Sequence, residues 1–192
     1  MGAASVSGAL VAGVDEAGRG ALAGPLYVAA VILPADFRHP LLRDSKTLTP
    51  HQRAEMASLL REAALAYAII EVSVGEIERY NVLRATLRGM ARAVEALPLK
   101  PTLVRIDGRH TPSLQGYRIE AHVDGDAIWP EIAAASILAK TARDACMINL
   151  HSQYPNYRWD QNKGYPTIQH REALRLYGPS RHHRPSFLKK IL

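Results

Sequence analysis

The chain has 192 residues, of which 47% are hydrophobic and 22% charged, and its formal net charge is +6 at pH 7. These values are typical of a folded globular protein that can bury a substantial core, and they exclude a low-complexity chain. The longest apolar stretch, about residues 21–34, is interrupted by Gly24 and Pro25 and is too short to span a bilayer. The single cysteine, Cys146, excludes an intrachain disulfide and fits a reducing compartment, so we expect a cytoplasmic protein. Residues 1–14 have no positively charged start to an apolar segment, so we expect no signal peptide.

The positive charge is concentrated at the C-terminal end. From Arg158 onward the sequence has eight lysines and arginines but two acids, so the first 157 residues are balanced. A basic segment beside a neutral body indicates a polyanionic partner, most simply nucleic acid. A solvated basic helix in a protein of high isoelectric point explains the same charge equally well.

Hydrophobic periodicity and capping signals divide the chain into strands and helices. Thr49, followed by Pro50 and Gln52, is typical of a helix N-terminus with a capping box. The predicted elements are a hairpin of strands at 10–16 and 26–33, a loop at 34–46, a helix from 50 to about 66, a strand at 68–74, a helix at 82–97, strands at 103–107 and 117–123, an alanine-rich helix from 130 to about 151, a helix near 167–177 and a basic helix or tail.

Strands come first and helices afterwards, with a hairpin at the start, and this order favours an α/β fold with a mixed five-stranded sheet flanked by helices. We expect one domain at residues 1–155. The remaining residues, 156–192, are predicted to form a small, basic, helical segment packed beside it.

Acidic residues stand at three places where a predicted strand ends or the long helix is about to begin: Asp15 with Glu16, Asp107, and Asp126. Strand ends at one edge of a sheet can converge in space. Carboxylates brought together repel one another unless they are protonated or hold cations. Oxygen-only ligands favour a hard divalent ion such as magnesium or manganese. Such a cluster beside a basic surface is typical of two-metal phosphodiester hydrolysis, in which the ions sit ~3.5–4 Å apart and stabilise the attacking and leaving oxygens.

Strand alternation raises an objection to this site, because adjacent residues of a regular strand face opposite sides of the sheet. Asp15 and Glu16 should then not reach the same ion through their side chains. We therefore expect either that the strand ladder breaks at Glu16, before the turn at residues 17–20, or that one of the two residues ligates through its backbone carbonyl.

The glycine turn that follows also has a competing interpretation. Residues 18–23, GRGALA, fit the dinucleotide fingerprint G-x-G-x-x-G/A after a strand. That fingerprint requires a helix to begin at the turn, with its N-terminus on the pyrophosphate. Here Gly24, Pro25 and an apolar, β-branched run follow, which disfavours a dinucleotide-binding oxidoreductase. The exposed amides of a glycine turn can equally approach a sugar-phosphate backbone.

Six motifs in this order and spacing resemble ribonuclease HII of the bacterial kind. They are VDEAGRG at 14–20, DSK at 44–46, IDG at 106–108, GD at 125–126 with PEIAAASILAKTARD at 130–144, KGYPT at 163–167 and HHRPSF at 182–187. The resemblance extends from about residue 11 to residue 187. Asn162 departs from it, because the family often has histidine before Lys-Gly-Tyr.

The resemblance implies a ribonuclease H-like fold and a metal-dependent endonuclease acting in ribonucleotide excision repair. Its substrates would be RNA–DNA hybrids and duplex DNA with embedded ribonucleotides, cut on the 5′ side of a ribonucleotide to leave 3′-hydroxyl and 5′-phosphate ends. By position, the family's catalytic, metal-binding acids correspond to Asp15, Glu16, Asp107 and Asp126, which would hold two Mn²⁺ or Mg²⁺ ions. We expect a monomer.

The same resemblance implies the substrate-binding residues. Gly18, Arg19 and Gly20 would read the 2′-hydroxyl largely through backbone amides, in keeping with the role of that group in separating RNA from DNA. Tyr165 would stack at the nucleotide next to the scissile bond, and Lys46 would contact a backbone phosphate. Taken alone, Tyr165 is more simply a packed loop residue and Lys46 a solvated one.

Other polar residues favour structural roles. Asp144 lies one turn after Lys140, at the spacing of a helical ion pair. His182 and His183 lack the acidic or cysteine neighbours of a metal site and are expected at the surface or on phosphate. The competing class of protein is a non-catalytic nucleic-acid-binding module, which predicts salt-sensitive binding without metal-dependent cleavage.

Overall fold

A computed structural model describes residues 9–189, apart from the side chains of residues 43–46. Five strands form one sheet in the order β3-β2-β1-β4-β5. They are β1 (Val11–Ala17), β2 (Leu26–Ile32), β3 (Ala66–Val72), β4 (Leu103–Asp107) and β5 (Ile119–His122). The first three strands are antiparallel neighbours, whereas β4 runs parallel to both β1 and β5. The predicted hairpin and the mixed five-stranded sheet are thus confirmed.

Helices cover the sheet and form the C-terminal end. They are α1 (Pro50–Ala63), α2 (Val74–Tyr80), α3 (Val82–Glu95), α4 (Gly125–Ile128), α5 (Pro130–Gln153), α6 (Trp159–Asn162), α7 (Ile168–Tyr177) and α8 (Pro185–Leu188). Short 3₁₀ helices occupy Pro40–Thr47 and Pro155–Tyr157. The prediction of an uninterrupted loop at 34–46 was therefore wrong, and α2, α4 and α6 were not predicted.

Two capping boxes set the starts of α1 and α2. The Thr49 hydroxyl accepts the Gln52 amide at 3.2 Å, and the Gln52 side chain accepts the Thr49 amide at 3.0 Å, as predicted. Ser73 and Glu76 repeat the arrangement, with Ser73 Oγ accepting the Glu76 amide at 3.2 Å. Because this second box begins α2 at Val74, strand β3 ends at Val72, two residues before the predicted end.

The two faces of the sheet bury separate cores. On one face, Val14 and Val28 pack with α3 residues such as Met90. On the other, Ala29 and Val31 pack with α1 and with the alanines of α5. Alternation along β1 and β2 therefore sends successive side chains to opposite helical layers.

Helix α5 crosses β1 in close contact. A Cβ atom added to Gly13 would lie 2.1 Å from the carbonyl carbon of Glu131, so only glycine permits this approach. The alanine-rich face of α5 follows the same logic, since small side chains let the helix lie near the strands. This packing fixes the short distance between α5 and β1.

A third apolar cluster joins the C-terminal end to the body. Trp159, Leu174 and Leu188 pack against Leu22 and Met147. The division into segments 1–155 and 156–192 stays a prediction, although this cluster shows what fastens the second range to the first. No helix within residues 9–189 is both long enough and apolar enough to cross a membrane.

Candidate active site

Asp15 and Glu16 lie within a regular part of β1. The ladder with β2 continues through Glu16, opposite Val28, and on to Ala17, opposite Tyr27. Of the two alternatives, the break of the ladder at Glu16 is therefore wrong, because the strand ends only at Ala17, directly before the glycine turn. Ligation through a backbone carbonyl stays a prediction. Asp15 interacts with the Ser136 hydroxyl of α5. Glu16 instead pairs with Arg19, whose Nη1 lies 3.2 Å from Glu16 Oε1.

These two carboxyl groups are held in an environment that disfavours their charge. Asp15 is only 6% exposed. Burial raises its pKa well above the ordinary value, and the negative charges of Glu16 and Asp107 raise the pKa further. Burial also raises the pKa of Glu16, with a contribution from Asp107, while Arg19 opposes the rise. The charge of Asp107 thus acts on both residues.

Asp107 reaches this place because β4 runs parallel to β1 and ends beside it. Its Oδ1 accepts the Gly125 amide at 2.8 Å, which ties the end of β4 to the start of α4. Asp126, the next residue, is 5% exposed and lines a cavity of about 1060 Å³ together with Arg105 and Trp129. The charges of Asp15, Glu16 and Asp107 thus act on one another, and Asp126 is linked to Asp107 through its neighbour Gly125.

The donor set of this cluster suits a hard divalent cation. Its members are carboxylates, and Glu16 Oε2 is buried without a hydrogen-bond partner in the described part of the chain. Across residues 9–189, no group of three or more carboxylate, imidazole or thiol side chains is arranged to hold a metal ion. The chemistry of Asp15, Glu16 and Asp107 fits a cation, since positive charge would relieve the repulsion that raises the pKa of Asp15 and Glu16.

A cleft of about 400 Å³ lies beside Glu16. Gly18, Arg19 and Gly20 form one of its walls, and Tyr165 contributes to another. Five residues proposed from sequence for catalysis or substrate binding therefore line one concave site. Lys46 lies in the 3₁₀ helix Pro40–Thr47, but its side chain is outside the described residues.

The cleft also contains three polar residues that the sequence did not assign to the site: Arg53, Ser136 and Lys140. Lys140 Nζ lies 2.6 Å from Asp144 Oδ1, which confirms the predicted ion pair, and Arg53 Nη1 lies 3.6 Å from Asp144 Oδ2. Asp144 thus pairs with two basic side chains that line the cleft. One sequence feature could have identified two of these residues: Ser136 and Lys140 are four residues apart, which places both on one face of α5.

Tyr165 is positioned from both sides. The Lys140 ammonium lies 5.6 Å and the Arg143 guanidinium 5.0 Å from the centre of its ring. The main chain before it is held by Asn162, whose Nδ2 donates to the Tyr157 carbonyl at 2.7 Å and whose Oδ1 accepts the Gly164 amide at 2.8 Å. Asn162, the departure from the family pattern, therefore has a structural role.

The expectation of surface histidines near the C-terminus was wrong for His183, which is 2% exposed. Its Nδ1 accepts the Ser180 amide at 2.9 Å, so Nε2 carries the proton toward His170 Nε2, 3.1 Å away. His170 Nδ1 lies 2.9 Å from the Tyr165 carbonyl. Burial and the neighbouring His170 lower the pKa of His183 to about 4. His182 is half-buried, with its ring edge against Tyr154.

The sheet order, the flanking helices and the carboxylates near the C-terminal ends of β1 and β4, beside a cleft with basic residues, fit a nuclease hydrolase of the ribonuclease H type. The family model of ribonuclease HII matches residues 12–190. Ribonuclease HII of Porphyromonas gingivalis is 49% identical over 175 residues, covering 91% of this chain and 87% of that protein. The chain therefore belongs to the ribonuclease HII family.

Solved structures agree with this assignment. Ribonuclease H2 from Pyrococcus horikoshii OT3 superposes with a TM-score of 0.78 at 26% identity, covering 94% of this chain and 96% of that one. Bst-RNase HIII, solved in complex with Mn²⁺, superposes with a TM-score of 0.68 at 18% identity over 91% of this chain and 64% of that one. At that identity the second likeness bears on the fold alone.

Proposed function

We propose that this chain hydrolyses the phosphodiester bond on the 5′ side of ribonucleotides, both in RNA–DNA hybrids and in duplex DNA with embedded ribonucleotides. The products are a 3′-hydroxyl and a 5′-phosphate. The observation that carries the proposal is the concentration of negative charge from Asp15, Glu16 and Asp107 beside the cleft that contains the glycine turn and Tyr165. We place this activity in ribonucleotide excision repair, in the cytoplasm, with the protein acting as a monomer.

Four carboxylates would hold two divalent ions, Mn²⁺ or Mg²⁺: Asp15, Glu16, Asp107 and Asp126. When bound, the ions supply positive charge that stabilises the attacking and leaving oxygens of the phosphodiester. The burial of these carboxylates favours ion binding, because charge–charge interactions are stronger where water is excluded. Arg19 already places one positive charge next to Glu16, at 3.2 Å.

The glycine turn and Tyr165 recognise the ribonucleotide. Arg19 and Gly20 are exposed to the cleft, and a Cβ added to Gly20 would meet no heavy atom within 4 Å. A sugar can therefore approach the main chain closely, and amide donors are suited to its 2′-hydroxyl. Tyr165 stacks on the nucleotide next to the scissile bond, while Lys46, Arg53 and Lys140 contact backbone phosphates.

The test is incubation with a DNA duplex that carries one ribonucleotide, with Mn²⁺, with Mg²⁺ and with chelator, mapping the nick to single-nucleotide resolution. We expect a metal-dependent nick directly 5′ of the ribonucleotide and none in an all-DNA duplex of the same sequence. Salt-sensitive binding without cleavage would instead identify a non-catalytic binding module. A nick at any other position would contradict the proposed reading of the 2′-hydroxyl.

A further inference from the structure

Two fully buried arginines lie behind the glycine turn. Arg143 of α5 and Arg184, directly before α8, are each 0% exposed. Burying a guanidinium is costly unless its hydrogen bonds are satisfied. Burial and the neighbouring Arg143 lower the pKa of Arg184 to about 9, so the group remains charged at neutral pH. Two buried positive charges so close together are costly, and this cost indicates that the two arginines have a specific role behind the glycine turn.

Both guanidinium groups donate to main-chain carbonyls of the segment that follows β1. Arg184 donates through Nε and Nη2 to Gly24 O, at 3.0 and 2.7 Å, and through Nη1 to Arg19 O at 3.0 Å. Arg143 donates through Nε to Pro25 O at 3.0 Å and through Nη2 to Ala23 O at 3.2 Å. The carbonyls of this segment are thus drawn inward, away from the cleft.

The opposite edge of the turn faces the cleft. The amides of Arg19 and Gly20 donate to no protein acceptor among the residues described. Gly18 has φ +101°, and a Cβ there would lie 2.0 Å from Arg143 Nε, so the turn rests directly on the arginine. The turn is therefore anchored at the Arg19 carbonyl, and the segment after it is anchored through the carbonyls of Ala23, Gly24 and Pro25. Its amide donors at residues 19 and 20 face the cleft.

We propose that Arg184, supported by Arg143, is a positioning residue that holds the Gly18–Gly20 turn with its amides directed at the substrate 2′-hydroxyl. This inference rests on the proposed function. The planar fork of arginine is required because one group must bind the Arg19 and Gly24 carbonyls at once. A lysine ammonium keeps the charge but lacks that fixed geometry. The C-terminal segment thereby takes part in recognising the ribonucleotide without touching it.

The test compares Arg184→Lys and Arg184→Met with the wild type. Three quantities are measured: the single-turnover nicking rate at saturating enzyme on the one-ribonucleotide duplex with Mn²⁺, the Kd for an all-DNA duplex of the same sequence, and Tm. We expect the rate to fall about tenfold or more in Arg184→Met and less in Arg184→Lys, because misplaced donors lose their effect in the reacting complex. The Kd for all-DNA duplex should stay within about twofold of wild type, since that duplex offers no 2′-hydroxyl to read.

Tyr157→Phe is the matched control for a loss of stability in the same segment. It removes the hydrogen bond from the Tyr157 hydroxyl to Gly178 O, at 2.8 Å, and leaves the turn untouched. We expect it to lower Tm while the single-turnover rate is retained. If Arg184→Met does not fold, Arg184→Lys decides the question.

Two outcomes would overturn the positioning role of Arg184: wild-type rates in the folded Arg184 variants, or an equal fall of rate in Tyr157→Phe. A wild-type protein that nicks no ribonucleotide-containing duplex is a different failure. It would overturn the proposed function itself, and the nicking assay on the wild-type protein alone detects it.

Discussion

Asp107 Oδ1 accepts the backbone amide of Gly125 at 2.8 Å, and this single bond connects the third acid of the site to the residue that precedes the fourth. Asp107 ends β4, whereas Gly125 begins α4. The bond therefore fixes the short helix that carries Asp126 against the edge of the sheet. The bond also uses one lone pair of the Asp107 carboxylate and orients that carboxylate before an ion binds.

Replacing Asp15 by Asn should abolish nicking while stabilising the metal-free protein. The neutral amide removes a buried charge that Glu16 and Asp107 repel. We expect Tm to rise by roughly 2–4 °C, the shift that corresponds to about 1 kcal/mol in a domain of this size. Differential scanning calorimetry in chelator and the nicking assay measure the two effects. Glu62→Gln, at an exposed position of α1, is the control and should change neither; retained nicking in Asp15→Asn would remove Asp15 from the site.

Tyr165→Ala should slow nicking of the one-ribonucleotide duplex by roughly 5- to 100-fold, the range expected for loss of one base–aromatic stack. Tyr165→Phe keeps the ring and the two cations near it, so its rate should stay close to wild type. Single-turnover kinetics on the same duplex compare the two variants. Equal rates for Ala and Phe would show that Tyr165 only packs in its loop.

Affinity for duplex should fall steeply with salt, and Lys140→Met should make that fall shallower. A lysine that contacts one phosphate contributes about one unit to the slope of log K against log salt. Fluorescence anisotropy with an all-DNA duplex between low and physiological salt gives both slopes. Arg88→Met is the control, because Arg88 lies over the Tyr80 ring, on the helix that covers the other face of the sheet. A slope unchanged by Lys140→Met would exclude the phosphate contact.

Folding stability should decrease as the pH falls from about 6.5 toward 4, because of His183. Its pKa is lowered from 6.5 to about 4 in the folded protein, so protonation favours the unfolded chain in that interval and has no such effect above it. A shift of this size corresponds to at most about 3 kcal/mol. Urea unfolding at pH 7 and pH 4.5 measures the difference. His183→Gln should reduce that difference, whereas His51→Gln, at an 83% exposed side chain, should not.

Much of this architecture could be read from local sequence. The capping box at Thr49 and Gln52, the strand that ends at Asp107 and the proline that opens α5 each have a signal within a few residues, and each was placed correctly. The start of α2 has an equally good signal in Ser73 and Glu76. It was missed because Val74, a β-branched residue, extends the apolar alternation of β3 by sequence alone.

The site required contacts that no local pattern contains. Sequence placed Asp15, Glu16 and Asp107 at strand ends, but the parallel pairing of β4 with β1 is what sets them side by side. Arg143 and Arg184 look like ordinary basic residues in the sequence. Their burial follows from the way the C-terminal segment crosses behind the glycine turn, with the Gly24 amide donating to the His182 carbonyl at 2.8 Å.

The helical register of α5 determines which of its residues face β1, the cleft and the glycine turn. Its first turn rests on Gly13, Ser136 meets Asp15 a little further on, and Lys140 and Arg143 then reach the cleft and the inner side of the turn. One residue inserted between Glu131 and Ser136 would rotate every later position by about 100° and advance it by about 1.5 Å. The stretch from Glu131 to Arg143 therefore cannot change length without moving the residues that face the cleft and the turn.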